Sequence, residues 1–502
     1  MNAPKPGRAL RVLIPCLMIL VVAACGRQDD AATEAVEAAA AAKVPITTSS
    51  DEAREAFLTG RGLLVDLHIT ESRPYFEQAV ELDANFAMAY VLLAASSPIG
   101  AKFFAAVEDA EATGPGVSRG EQLIVNALVA GSRNDQTGQV DALAELLSLY
   151  PDDERVHNRL ANYYNTQQDF EKAITHYQKA VAINPTFASA YNAMGYVHRS
   201  NDDLDSAKVA FAKYVELIPD EANPYDSYAE LLMEMGEYDE SIANYRKSLA
   251  IDRNFAVSYA GISTNESLRG DSASALEAAA QMLSVARTSG EKQGAIFTAV
   301  VCHVFAGDIE GAIAASEEMF AVAAMDGNDA AMGGIREYMG DIMLAEGDGV
   351  KALAYYDDAL DHRQKADTND AAKAQAGRTH LFKSAIAAMI NDDKETATDL
   401  VAKYKSAAEE NGTSIERRRV HEHAGYLAML NEDNATVVAE LALANNLDPI
   451  VLYWSAVANK NAGNVEKARD LADRAANRNT LSANLPFFRA DALQLIDELS
   501  GM

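Results

Sequence analysis

A period of 34 residues in the middle of the chain constrains its fold more than any other feature. Cut every 34 residues from Glu154, the sequence stacks residues of one kind into columns. Leu160, Met194, Tyr228 and Ile262 form one, and the small residues Ala161, Gly195, Ala229 and Ser263 form the next. Ala173, Ala207, Ser241 and Ala275 make a third, and Tyr177, Phe211 and Tyr245 an aromatic one. Acids recur at Asp135, Asp169, Asp203, Glu237 and Asp271, and prolines at Pro151, Pro185 and Pro219. A period of this length marks stacked helical units, each burying its apolar face only against its neighbours. Small residues let the two helices of a unit approach, large ones fill the groove to the next unit, and proline stops the second helix. A chain of 502 residues would otherwise suggest about three separate cores, an estimate that a repeat makes meaningless.

These columns resemble the tetratricopeptide repeat. The resemblance implies an all-α fold, a right-handed superhelical solenoid of antiparallel helix pairs. Arg253 departs from the proline column and Glu266 from the column of Tyr164, His198 and Leu232, so the unit at 256–289 is a weaker match. Upstream, Ala53 to Phe86 fits with Gly60, Phe76 and Ala79, while Ala87 to Pro115 is shortened. Downstream, units centre on the turns Gly307-Asp308, Gly347-Asp348, Asp392-Asp393, Glu432-Asp433 and Gly463-Asn464, spaced 40, 45, 40 and 31 residues apart. Residues 53–289 are read as an N-terminal array and 290–502 as a degenerate C-terminal one, with joints at 290–292, 325–332 and 364–377. The stretches Tyr75 to Ala79, Tyr150 to Arg155 and Asn223 to Glu230 resemble large bacterial envelope repeat proteins, which implies binding rather than catalysis.

Residues 1–24 carry Lys5, Arg8 and Arg11, no acid, and an apolar run from Val12 too short to span a bilayer well, which reads as an export signal. The run ends in Val22-Ala23-Ala24-Cys25-Gly26, which resembles the lipobox of bacterial lipoproteins. That resemblance implies cleavage before Cys25 and its acylation, and several acyl chains on one residue anchor stably. A plain secretory signal is the alternative. Residues 25–52 then form the acylated cysteine and a flexible tether. Loss of the signal takes the net charge from -31 to -34, which argues against a phosphate-tracking nucleic-acid binder. Only Cys302 then remains as a free thiol, and it reads as core filler in the run Phe297 to Phe305.

Phosphate loops, nucleophile elbows and H-E-x-x-H helices are absent from the sequence, and no catalytic residue, metal site or cofactor is expected. His421-Glu422-His423 is the nearest thing to a metal cluster, but residues two apart on a helix point to different faces. The better candidate is the concave surface, which the repeat geometry lines with first helices. It carries Arg155, Asn158 and Asn162, then Asn192, Tyr196 and Arg199, then Asp226 and Glu230. An amide side chain offers both an acceptor and a donor, so a row of them suits the backbone of an extended peptide. Arg155 and Arg199 are placed to hold a carboxylate, though the lysine usual in such a clamp is missing. A merely wet inner surface is the alternative. The leading expectation is a lipid-anchored scaffold that binds a protein or peptide in the bacterial envelope, on the outer-membrane or periplasmic side. A small-molecule or glycan receptor, weakened by the lone Trp454, and a regulatory subunit of an envelope enzyme are the alternatives.

Overall fold

The computed structural model describes residues 43–65, 68–97, 100–446, 448–477 and 483–501. The expected signal, Cys25 and most of the expected tether lie outside these residues. Among the described residues every regular element is helical, and 44–501 belong to one compact unit. The helices are α1 (Asp51–Val65), α2 (Ile69–Leu82), α3 (Ala87–Ala95), α4 (Gly100–Thr113), α5 (Arg119–Ser132), α6 (Gln136–Leu149), α7 (Glu154–Thr166) and α8 (Phe170–Ile183). There follow α9 (Ala188–Ser200), α10 (Leu204–Leu217), α11 (Ala222–Glu234), α12 (Tyr238–Ile251), α13 (Ala256–Leu268), α14 (Ser272–Val285), α15 (Ser289–Phe305) and α16 (Ile309–Met325). The series ends with α17 (Asp329–Ala345), α18 (Gly349–Lys365), α19 (Asp370–Ile390), α20 (Lys394–Asn411), α21 (Ser414–Leu430), α22 (Asn434–Leu441), α23 (Pro449–Asn461), α24 (Val465–Asn477) and α25 (Arg489–Ser500).

Odd and even helices pair in sequence, and each pair packs on the next. The turn inside a pair explains the acidic column. Asp135, Asp169, Asp203, Asp271, Asp308, Asp348, Asp393 and Asp433 each precede a second helix and accept the backbone N–H three residues on, at 2.9 to 3.3 Å. Each thus caps an otherwise unpaired donor and sets a negative charge at the positive helix end. The residue before each of these caps takes a left-handed backbone: Asn134, Gln168, Asp202, Gly270, Gly307, Gly347, Asp392 or Glu432. The small and aromatic columns meet within a pair. A Cβ added at Gly195 would lie 2.7 Å from Phe211, so only glycine lets that buried ring sit against α9.

The stretch expected to be shortened is a pair with a nine-residue first helix, α3, followed by a 3-10 turn at Gly114–Gly116. Two of the expected joints shift. Residues 290–292 lie inside α15, whose capping box of Thr288 and Glu291 starts the helix just before them. Residues 370–377 belong to α19, started by the Asn369 cap, which leaves only 366–369 as the joint. The wider downstream spacing comes from longer helices, 17 to 21 residues from α15 to α21 against 13 or 14 from α4 to α14.

The end of the expected tether is instead docked. The Val44 N–H donates to Asp153 at 2.8 Å, Thr47 bonds Glu121 through both its N–H and its hydroxyl at 2.6 Å, and Thr48 and Ser49 bond Asp83. Three carboxylates, at the end of α2, in the first turn of α5 and just before α7, therefore accept donors of Val44, Thr47, Thr48 and Ser49. The sequence gives no sign of that pairing, because the partners lie 34 to 109 residues away.

Candidate concave surface

First helices of neighbouring pairs touch one another, α7 with α9, α9 with α11, α11 with α13 and α13 with α15, and second helices make no comparable contact. The stack therefore curves with the odd helices inside. Side chains at the fifth and ninth residues of the regular first helices share this inner face. They are Asn158 and Asn162 on α7, Asn192 and Tyr196 on α9, and Asp226 and Glu230 on α11.

The expected residues come together there, but as a network bonded largely to itself. The Asn158 and Asn192 carbonyl oxygens are covered and have no hydrogen-bond partner among the described residues. Asn162 is exposed and accepts from the Tyr177 hydroxyl at 2.5 Å. Tyr196 donates to Ser227 at 3.2 Å, and Ser227 to Asn223 at 2.9 Å. Arg199 lies over the Tyr196 ring, pairs with Glu230 at 2.8 Å and with Glu234 at 3.2 Å. Burial disfavours the Arg199 cation, yet Glu230 and Glu234 outweigh it and hold its pKa above the ordinary arginine value. Asp226 accepts from Ser258 at 2.6 Å, and burial, aided by Glu230, pushes its carboxyl up to about 8.

Arg155 is engaged too. Its Nε and Nη2 bond Asp153 at 2.9 and 2.6 Å, and Nη2 also donates to the Val44 carbonyl at 2.8 Å. Burial of Asp153 opposes its ionisation, but Arg155 and the Val44 N–H prevail and keep its carboxyl below the usual range. Arg155 and Arg199, expected to hold a carboxylate, are thus each paired with acids of the chain itself. Two carboxylates, Glu230 and Glu234, face the one cation of Arg199, so this part of the surface disfavours an added carboxylate.

Two inner features carry no repeat signal. On α17, Glu337 and Asp341 hold Lys383 at 3.3 and 2.6 Å, while Arg363 reaches Glu337 at 2.9 Å. A polar cavity of about 310 Å³ opens where α5 to α7 meet α19 and α21, lined by Gln136, Gln139, Gln167, Gln375, Ser414 and Arg419 among others. The histidines behave as helix geometry requires: His421 pairs with Glu440 at 2.8 Å, whereas His423 is buried against Phe382. Cys302 is also buried, 2.9 Å from Ser263, and burial pushes its thiol up. A buried thiol with a raised pKa is a poor nucleophile.

Comparison with known families agrees with the repeat. Residues 161–201 match the family described as TPR repeat, and 188–221 and 222–255 that described as tetratricopeptide repeat. Residues 161–255 are therefore built of tetratricopeptide repeats, and the units at 188–221 and 222–255 coincide with the 34-residue cut. The chain is similar to a UDP-N-acetylglucosamine–peptide N-acetylglucosaminyltransferase of Giardia intestinalis, 25% identical over 23% of this chain and 8% of that one. It is similar to the CTR9 homologue of Arabidopsis thaliana, 27% identical over 41% of this chain and 18% of the relative. It thus spans under a fifth of the length of either protein. Among solved structures it is similar to a tetratricopeptide repeat protein of Parabacteroides merdae, with 13% identity, TM-score 0.38, and 52% of this chain and 99% of the other covered.

Proposed function

We propose that the protein is a non-catalytic scaffold that binds an extended segment of a partner protein along its concave surface. The observation that carries this reading is the repeated pair Asn158 and Asn192, each with a covered, unpartnered carbonyl oxygen. A buried acceptor without a partner costs about 1–3 kcal/mol, and here the feature recurs one repeat apart on the inner face. Rotation of either amide exchanges oxygen for nitrogen, so each side chain can meet a peptide N–H or C=O. Since the neighbouring surface sets two carboxylates, Glu230 and Glu234, against the single cation of Arg199, the partner segment is neutral or basic.

The test is affinity enrichment with the wild type and with an Asn158→Ala, Asn192→Ala variant, leaving Arg199 in place because it pairs with both Glu230 and Glu234. Loss of a specific partner from a variant of unchanged melting temperature supports the assignment; full recovery moves the site elsewhere. Anchoring through Cys25 in a bacterial envelope belongs to the same proposal, supported by the Val22-Ala23-Ala24-Cys25 pattern. Among the described residues no helix is long and apolar enough to cross a membrane. Under this reading Cys25→Ser shifts the protein from the membrane to the soluble fraction and removes labelling by a fatty acid. A receptor for a small polar ligand is the second reading, supported by the 310 Å³ cavity and its amide lining. Thermal shift against a glycan library tests it.

A further inference from the structure

The inner surface changes chemistry along the stack. Over α11 to α17 it presents Met233, Leu268, Phe297, Phe305 and Tyr338. Met233, Leu268 and Tyr338 are buried, and the two phenylalanines are half-buried. What covers them comes from the far end of the chain. Tyr338 donates its hydroxyl to the Ala483 carbonyl at 2.8 Å across 145 residues of sequence. The Phe487 ring lies 5.7 Å from the Tyr338 ring, which stands edge-on to Phe297 at 5.0 Å. Leu485 and Phe488 are 0% and 3% exposed and lie in one apolar cluster that joins Leu452, Leu471 and Leu495 of α23 to α25 to Met233, Leu268 and Phe305.

Stacking of repeats needs contact only between neighbours. The contact of residues 483–488 with α15 and α17 is additional to it, made by a short stretch whose only regular element is the 3-10 turn Leu485–Phe487. Apolar anchors in pockets with one backbone carbonyl held by a side chain are the marks of a bound peptide. We propose that the inner surface across α15 and α17 is a peptide-binding site filled in cis by Ala483 to Phe488. Its partner is then a protein bearing a segment of the same chemistry that takes up such a turn, an aliphatic residue, a proline and an aromatic in succession. The inference rests on reading the concave surface as the binding face and adds both its apolar half and the partner's class. Because the tethered segment has an effective concentration in the millimolar range, a partner binds only as the segment leaves.

The probe is a fluorescein-labelled Ala-Asn-Leu-Pro-Phe-Phe peptide, titrated by anisotropy into the wild-type chain and a Leu485→Ser, Phe487→Ser variant. At least tenfold tighter binding to the variant, abolished by adding Tyr338→Ala and absent for a scrambled peptide, is expected. Binding no tighter than wild type, in a variant of unchanged helicity, overturns the proposal. Should the variant lose its cooperative melt, hydrogen exchange of the wild type decides. Amides of 484–488 exchanging at least 100-fold faster than those of α15 and α17 support a releasable segment, and exchange only with global unfolding overturns it. Dimers that swap the end segment also overturn it, in favour of a second copy. Retained partner binding by the Asn158→Ala, Asn192→Ala variant beside tight peptide binding removes the asparagine row and leaves this site standing. The opposite pattern removes this inference alone.

Discussion

At the scale of single residues, the concave surface stores acids where water cannot reach them. Asp226 is buried, tied to Ser258, and holds its proton up to about pH 8. A carboxyl whose pKa is raised by folding weakens the fold as pH climbs from the unfolded value near 4 to the folded value, since only the unfolded chain then gives up the proton freely. Asp226→Asn keeps an oxygen for Ser258 and removes the charge. Its melting temperature should match wild type near pH 4 and exceed it at pH 8; a constant difference across that range would place the cause elsewhere. Gly195 makes an opposite demand, for space. Gly195→Ala sets a methyl 2.7 Å from Phe211, which is fully buried, and should cost about 1–3 kcal/mol in denaturant melts. The small-residue column marked this position in the sequence. Nothing there indicated that Arg199 is neutralised, because its pairing with Glu234 depends on how two neighbouring helices are turned toward each other.

At the scale of the helix pair, the turn is where local chemistry governs. The acidic column was legible as a turn marker, and its physical content is capping: side-chain and backbone hydrogen bonds hold Asp203, Asp271, Asp393 and Asp433 below the ordinary carboxylate range. Stability from these caps is present above the unfolded pKa and is lost as pH falls through the lower folded values, so the array should loosen below about pH 4. The residue before the cap is less well matched. Glu432 is exposed and has φ 57°, a conformation that costs a side chain about 1–2 kcal/mol and a glycine almost none. After the entropy cost of glycine in the unfolded chain, Glu432→Gly should stabilise by roughly 0.5–1 kcal/mol, whereas a lower melting temperature would mean that the glutamate has an unrecognised role. Helix boundaries were less legible than helix existence. The stretch 370–377 looks polar enough for a loop, yet its alanines, lysine and glutamine favour helix once Asn369 caps it.

At the scale of the whole folded unit, the second half of the stack returns to the first. Asn369 donates to the Ser132 carbonyl at 3.2 Å, Ser414 to Gln167 at 3.0 Å, and Arg474 pairs with Asp202 at 3.0 Å, while Arg418 meets Gln168. A repeat sequence encodes contacts between neighbours, and these arise only from the curvature accumulated over many pairs, which is why none of them was legible. The inner surface is polar over α7 to α11, and apolar but covered around Phe297 of α15 and Tyr338 of α17. The most direct test places a photo-crosslinking amino acid at positions 162 and 192 inside the curve and at the outward positions Val209 and Val350, which are 72% and 70% exposed. Crosslinking in the native cells, read by mass spectrometry, should yield a common partner from 162 and 192 and none of it from 209 and 350. The same partner recovered from the outer positions, with nothing from the inner ones, would contradict the concave surface as the binding face.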